Sequence, residues 1–181
     1  MKTLSFLTLF LTALALVAAP VRLHIEVDSE FNKPYGTAWW LNKGVSGKDA
    51  KAEIVKDEQS NSKCLRIEVP EGQKNASVVS ETQFLFISDG TVEMEAKLKG
   101  KGLFTFNFYC YDGTGKYLGI HGTSKKATVD SAYWQQFTDS ISMSVFPKGT
   151  SRIRAVLSLI DAGTIFIDNA VYHVQSNYGS N

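Results

Sequence analysis

Beyond its first 20 residues the chain has no segment that holds a 3.6-residue apolar period over three turns. Helical bundles and α/β layers are therefore excluded as its fold. Net charge is nearly absent too, with 19 Lys+Arg against 18 Asp+Glu in 181 residues. Without a basic field, nucleic acid and anionic membrane surfaces are excluded as partners, and an uncharged partner is expected. Cysteine is scarce. Cys64 and Cys110 have no metal-ligand spacing to each other, and two readings stand for them, a disulfide or two buried free thiols. The three histidines, His24, His121 and His173, are far apart in sequence. His24 and His173 fall in the first and last strand-like runs, which would let them meet. There is no nucleophile elbow, P-loop or glycine-rich phosphate cradle, and GKGLFTF lacks the required spacing.

What is present begins with MKTLSFLTLFLTALALVAAP, in which Lys2 precedes an apolar run ending in small residues. This reads as a secretory signal peptide over residues 1–19, with Val17-Ala18-Ala19 as the cleavage site, and residues 20–181 as one domain. No second apolar span follows, so no membrane span is expected. Only Lys2 leaves with the signal, so 18 charges of each sign remain. The address is secreted, or periplasmic in a bacterium. Asn75-Ala-Ser77 is a glycosylation sequon if the host is eukaryotic.

The dominant period is two. Over Thr91–Lys99, Val92, Met94, Ala96 and Leu98 alternate with Glu93, Glu95, Lys97 and Lys99; over Ser140–Phe146, Ile141, Met143 and Val145 alternate with serines. Further strands are predicted at Leu23–Val27, Ala52–Val55, Cys64–Val69, Ser77–Phe86, Leu103–Tyr111, Arg152–Ile160 and through GTIFIDNAVYHV at 163–174. Turn signals separate them, among them Asp89-Gly90, Gly100-Lys-Gly102 and Asp112-Gly-Thr-Gly115. Strands at this spacing without helices predict an all-β antiparallel sandwich of jelly-roll type. In the last run Asp168 stands amid apolar residues, with Ile165, Ile167 and Val171 on one face and Phe166, Ala170 and Tyr172 on the other. A carboxylate there needs a partner. A cation, Arg154 or loop N–H groups would each serve.

The order of features resembles that of a known family: Glu30-Phe31, the pair in GTAWW, NSKCLRIEVPEG, DGTVEMEAKLKGKG, FNFYCYDGTGKYLG, YWQQFT, SRIRAVLSLIDAG and the closing TIFIDNAVYHV. Over residues 26–174 it resembles the galactose-binding-like jelly roll of secreted carbohydrate-binding modules, in the style of families four, nine and twenty-two. The resemblance implies non-catalytic binding of poly- or oligosaccharide. It also implies one structural calcium ion, with Asp168 as the closing-strand ligand and Glu26 or Asp28 as the first-strand carboxylate, a donor set that suits calcium's demand for oxygen. It makes Trp134 a core residue.

The residues themselves suit a sugar site better than an enzyme. Phe104, Phe106 and Phe108 alternate with Thr105, Asn107, Tyr109 and Tyr111, which puts tyrosines and an amide on the face opposite the core. Such rings stack on sugar C–H faces while their tips hydrogen-bond. The other reading of that face is a second buried layer. Trp39 and Trp40 point to opposite sides of a strand, one core and one free for the site; Gln83, Tyr117 and His121 complete the candidate set. A glycosidase needs two carboxylates held apart across a bond. Glu93 and Glu95 instead share one strand face and read as a solvated ladder. The stretch VEMEAKLKGKG is similar to the entry strand of concanavalin-like β-glucanases, but the clustered acidic strand of those enzymes is missing. No enzyme is expected. The alternatives are an extracellular structural or adhesion domain without a sugar site, or a polysaccharide hydrolase or lyase of concanavalin-like fold. The glycan and the oligomeric state are not fixed by the sequence.

Overall fold

A computed structural model describes residues 22–25, 27–123 and 125–176; the stretch in which a signal peptide is expected and Glu26 lie outside the described residues. The strands are β1 (Arg22–Ile25), β2 (Trp39–Leu41), β3 (Lys51–Lys56), β4 (Lys63–Val69), β5 (Ala76–Leu85), β6 (Gly90–Tyr111), β7 (Tyr117–Gly122), β8 (Ala127–Ser142), β9 (Arg152–Leu159) and β10 (Gly163–Ser176). All pairings are antiparallel. One layer runs β2-β5-β9-β6-β7 and uses the second half of β6. The other runs β3-β4-β10-β6-β8 and uses its first half, with β1 also on β10. The fold is an antiparallel jelly-roll sandwich, as the period-two patterning predicts. No described helix is long and apolar enough to cross a membrane.

The core lies between the layers. Phe104, Phe106 and Phe108 are fully buried, and Tyr172 of the opposite layer meets Phe106 and Phe108 edge-on at 5.8 and 6.1 Å. Cys64 and Cys110 are both buried free thiols, which settles their two readings in favour of packing; burial pushes each thiol up to about 11. His24 and His173 do meet, on paired positions of β1 and β10.

Several sequence expectations need correction. Gly100-Lys-Gly102 is no turn, because β6 runs unbroken for 22 residues. Its glycines bend it from one layer into the other: Gly100 has φ +110, and a Cβ there would collide with the Thr164 carbonyl. Residues 127–139 form most of β8, where no strand was expected. The Ser140–Phe146 alternation breaks at a 3₁₀ turn over Met143–Val145, which exposes Val145 and buries Phe146.

The closing strand carries the largest change. Asn169 adopts φ +52 and a bulge separates Asp168 from Val171. The extra residue resets the register, so Ala170, Tyr172 and Val174 face the core on the same side as Ile165 and Ile167, while Asp168, next to Ile167, faces outward, half-buried. Its Oδ1 accepts the Asn169 N–H at 2.8 Å and its Oδ2 the Ser62 hydroxyl at 3.5 Å. Arg154 is not its partner; that side chain belongs to the other layer. Trp134 is not core either, but a half-buried ring on the outer face of its layer.

Candidate functional site

Cross-strand register builds the outer face of the β2-β5-β9-β6-β7 layer in rows. One row reads Tyr117, Tyr111, Arg152, Leu85. The next reads Ile120, Tyr109, Arg154, Gln83, and the third Gly122, Asn107, Val156, Val79, Trp40. These side chains share a face because β6 and β9 alternate and register shifts in β5 and β7 bring Gln83 and Tyr117 into line with them, with Phe108, Ile153 and Phe84 turned into the core between them.

The rings touch. Tyr117 meets Tyr109 at 5.5 Å and Tyr111 at 5.8 Å between centroids. The Arg154 guanidinium lies over Trp40 at 5.3 Å and Tyr111 at 5.9 Å, a pair of cation–π contacts. With the Gln83 amide oxygen turned toward it, Arg154 donates Nε–H and Nη2–H to that oxygen at 2.9 and 2.8 Å. Asn42 donates to the Tyr109 hydroxyl at 2.6 Å, and Asn107 donates to Ser158 at 2.8 Å. Gly122 has no side chain because Asn107 occupies that space. Burial raises the Tyr109, Tyr111 and Tyr117 phenols, so all three remain protonated donors at neutral pH.

Of the residues predicted for the site, Trp40, Gln83, Asn107, Tyr109, Tyr111 and Tyr117 come together on this face. Tyr109 is only 6 % exposed, in a small outer cluster with Val79 and Val156, so it supports the face from beneath. Tyr117, 51 % exposed, is the presented ring. Two expectations are corrected. Trp39 is the core member of the tryptophan pair, fully buried, its indole N–H on the Asp28 carbonyl at 2.9 Å. His121 pairs with Phe108 and therefore points to the core side, against Phe146 at 5.0 Å. Arg152, Arg154, Asn42 and Glu81 were not foreseen. Period two does place both arginines outward; which outward face carries a site is not written in the alternation.

The layers share this topology with known proteins. The fold is similar to that of CBM22 xylan-binding domains. Against the CBM22-1 xylan-binding domain of Paenibacillus barcinonensis Xyn10C the TM-score is 0.53 at 13% identity, over 81% of this chain and 91% of that one. The apo form of a cyclase from Fischerella sp. superposes with a TM-score of 0.62 at 7% identity, over 84% of this chain and 96% of that one. The chain spans only 19% of the bacteriophage CBA120 tailspike protein 4 enzymatically active domain, with a TM-score of 0.52 and 17% identity over 75% of its own length. At these identities the likeness is one of fold. No family model matches the chain, and no curated protein matches it.

Of the carboxylates expected to hold calcium, Asp28 and Asp168 are described and engaged with other partners, and Glu26 lies outside the described residues. Asp28 turns both oxygens onto its own loop, accepting the Asn32 and Lys33 N–H groups at 3.0 and 2.9 Å. Asp168 lines a polar groove with Glu30, but Lys63 and Lys97 line it too. Among the described residues no three His, Cys, Asp or Glu side chains are placed to hold a metal. The two described carboxylates do not by themselves make the many-oxygen donor set that the implied ion needs.

A buried carboxylate was missed by sequence reading. Asp57, 5 % exposed, is ion-paired with Lys99 and accepts from Ser60 at 2.7 Å and the Trp134 indole at 3.2 Å. Burial opposes its ionisation, yet these donors win and hold the carboxyl well below its ordinary range. Lys99 also lies over the Trp134 ring at 4.8 Å. The cluster fastens β8 to the β3–β4 turn.

Proposed function

We propose that this protein is a secreted, non-catalytic carbohydrate-binding domain in the style of families four, nine and twenty-two, with the glycan lying across the Trp40–Tyr111–Tyr117 face. The observation that carries this reading is the composition of that face: three accessible or half-buried rings beside the Gln83 and Asn107 amides and the arginines, on one face of a five-stranded layer. Rings supply flat apolar area, and amides and N–H groups meet hydroxyls. The likeness in fold to xylan-binding domains supports the same assignment. Glu93 and Glu95 lie on the outer face of the other layer, Glu93 ion-paired with Arg22 at 2.8 Å and Glu95 accepting from Gln136 at 3.4 Å, which supports a binding rather than a hydrolytic role.

Titration calorimetry of the purified protein against glycans selected on an array tests this. Tyr117→Ala should weaken binding by roughly 1–3 kcal/mol, the range of ring stacking on nucleobases, with little change in melting temperature. Phe108→Ala, on the core side, should destabilise by about 3–5 kcal/mol instead. Binding untouched by Tyr117→Ala would remove this face as the site. Release of reducing ends from the bound glycan would refute the non-catalytic part. The adhesion-domain alternative draws on Leu85, 74 % exposed on the same face; an empty glycan array together with self-association lost in Leu85→Glu would favour it.

A further inference from the structure

The same face carries more positive charge than a neutral sugar requires. Arg152 and Arg154 alternate with buried Ile153 and Ala155 on β9, so both project from the middle of the aromatic face. This is a local feature, since the whole chain is balanced at 19 basic and 18 acidic residues. Balanced total charge excludes a long-range field but not a charged subsite.

Arg154 is built into place. Its side chain is 19 % exposed, held flat by Trp40 and Tyr111 and fixed at one edge by Gln83. That edge uses Nε–H and one N–H of Nη2, and Nη1 faces only the Glu81 carboxylate at 3.7 Å, beyond hydrogen-bond reach. Glu81 is 62 % exposed, and such a solvated pairing contributes little. Asp112, next to Tyr111 in sequence, accepts the Thr114 and Lys116 N–H groups of its own turn on Oδ1. A partly desolvated guanidinium with N–H groups to spare, flanked by stacking rings, is matched by a planar carboxylate carried on a sugar ring. Bidentate, charge-assisted bonds of that kind are about twice as strong as neutral ones.

Resting on the carbohydrate-binding reading, we infer that the ligand is an acidic glycan, one whose uronate carboxylate is received by Arg154 with Arg152 beside it. A uronate ring supplies both halves of the match, a C–H face for Tyr117 and Tyr111 and an anion for Arg154. Glu81 is displaced from Nη1 when the carboxylate arrives.

The full chain is titrated with polygalacturonate, alginate and glucuronoxylan, each beside its carboxyl-reduced form, with neutral xylan and dextran sulfate as controls. At least one acidic polymer should bind, with affinity falling tenfold or more on carboxyl reduction. Arg154→Gln should erase that difference, Arg152→Gln should reduce it, and Tyr117→Ala should weaken acidic and reduced forms alike. Because Arg154→Gln also loses packing on Trp40, the exposed Arg152 variant keeps the test open if the first does not fold. Equal binding of acidic and reduced forms, or of neutral xylan alone, overturns this inference and leaves carbohydrate binding standing. Dextran sulfate binding as tightly, with the same sensitivity to Arg154→Gln, overturns it as plain charge attraction. No binding to any glycan overturns both readings.

Discussion

Two buried polar residues set opposite expectations for stability. The Tyr172 hydroxyl is fully buried and has no hydrogen-bond partner among the described residues. An unpaired buried hydroxyl costs about 1–3 kcal/mol, and its ring, not its oxygen, does the packing against Phe106 and Phe108. Tyr172→Phe should therefore leave the denaturant midpoint unchanged or raise it; a clear fall would mean that the oxygen has a partner. Asp57 is the reverse case, a carboxylate whose folded pKa is depressed by Lys99, Ser60 and Trp134 against the opposing pull of burial. A group with a lowered folded pKa contributes stability that is complete above its unfolded value, about 3.9, and is lost as pH falls below it. Melts from pH 7 to pH 2 should show the wild type losing this contribution below about pH 4, and Asp57→Asn should start less stable and lose less there. Parallel curves for the two proteins would show that Asp57 is not the linked group.

At the scale of elements, the strands with strong apolar alternation were legible and the bends between them were not. Val92 to Leu98, Phe104 to Phe108 and Ile153 to Leu157 all point where period two sends them. The stretch ATVDSAYWQQFTDS, which makes most of β8, offers few buried side chains because that strand lies at the edge of its layer, so alternation has little to report. A glycine pair reads as a turn by composition, yet in β6 Gly100 serves close approach of β10. Gly100→Ala would have to relieve both a positive φ and a collision with the Thr164 carbonyl. It should destabilise by roughly 2–3 kcal/mol, more than the loss of a hairpin glycine in solvent. A loss under about half a kcal/mol in urea melts would show that β6 can bend elsewhere. The bulge at Asn169 was equally hidden, because one inserted residue exchanges faces without altering composition.

For the whole molecule, the candidate face was half legible. Asn107, Tyr109 and Tyr111 follow from the alternation of β6, but Trp40, Gln83, Tyr117 and the arginines come from β2, β5, β7 and β9, and only the register of five strands brings them together. The same limit explains the calcium expectation. A carboxylate in an apolar run needed a partner, and of a cation, Arg154 or backbone N–H groups the fold supplies the last, since Asp168 faces outward beside core-facing Ile167, where the Asn169 N–H and the Ser62 hydroxyl meet it. Burial raises the Asp168 carboxyl, with the Asn169 amide and Lys97 only partly offsetting it, so ionisation costs more in the fold than in the unfolded chain. A raised folded pKa in an acid means that ionisation works against stability above the ordinary carboxylate range and that acidification relieves it. Asp168→Asn, which keeps an oxygen for the Asn169 N–H, should accordingly hold or raise the melting temperature at pH 7, and chelator should change neither protein. A resident ion makes the contrary demand. Bound only to the native state, calcium at a hundredfold excess over its Kd adds about 2.7 kcal/mol, which chelator would remove and Asp168→Asn would abolish. Differential scanning calorimetry of both proteins, with calcium and with chelator, separates the two outcomes, and a chelator-sensitive wild type beside an insensitive variant would restore the ion to this site.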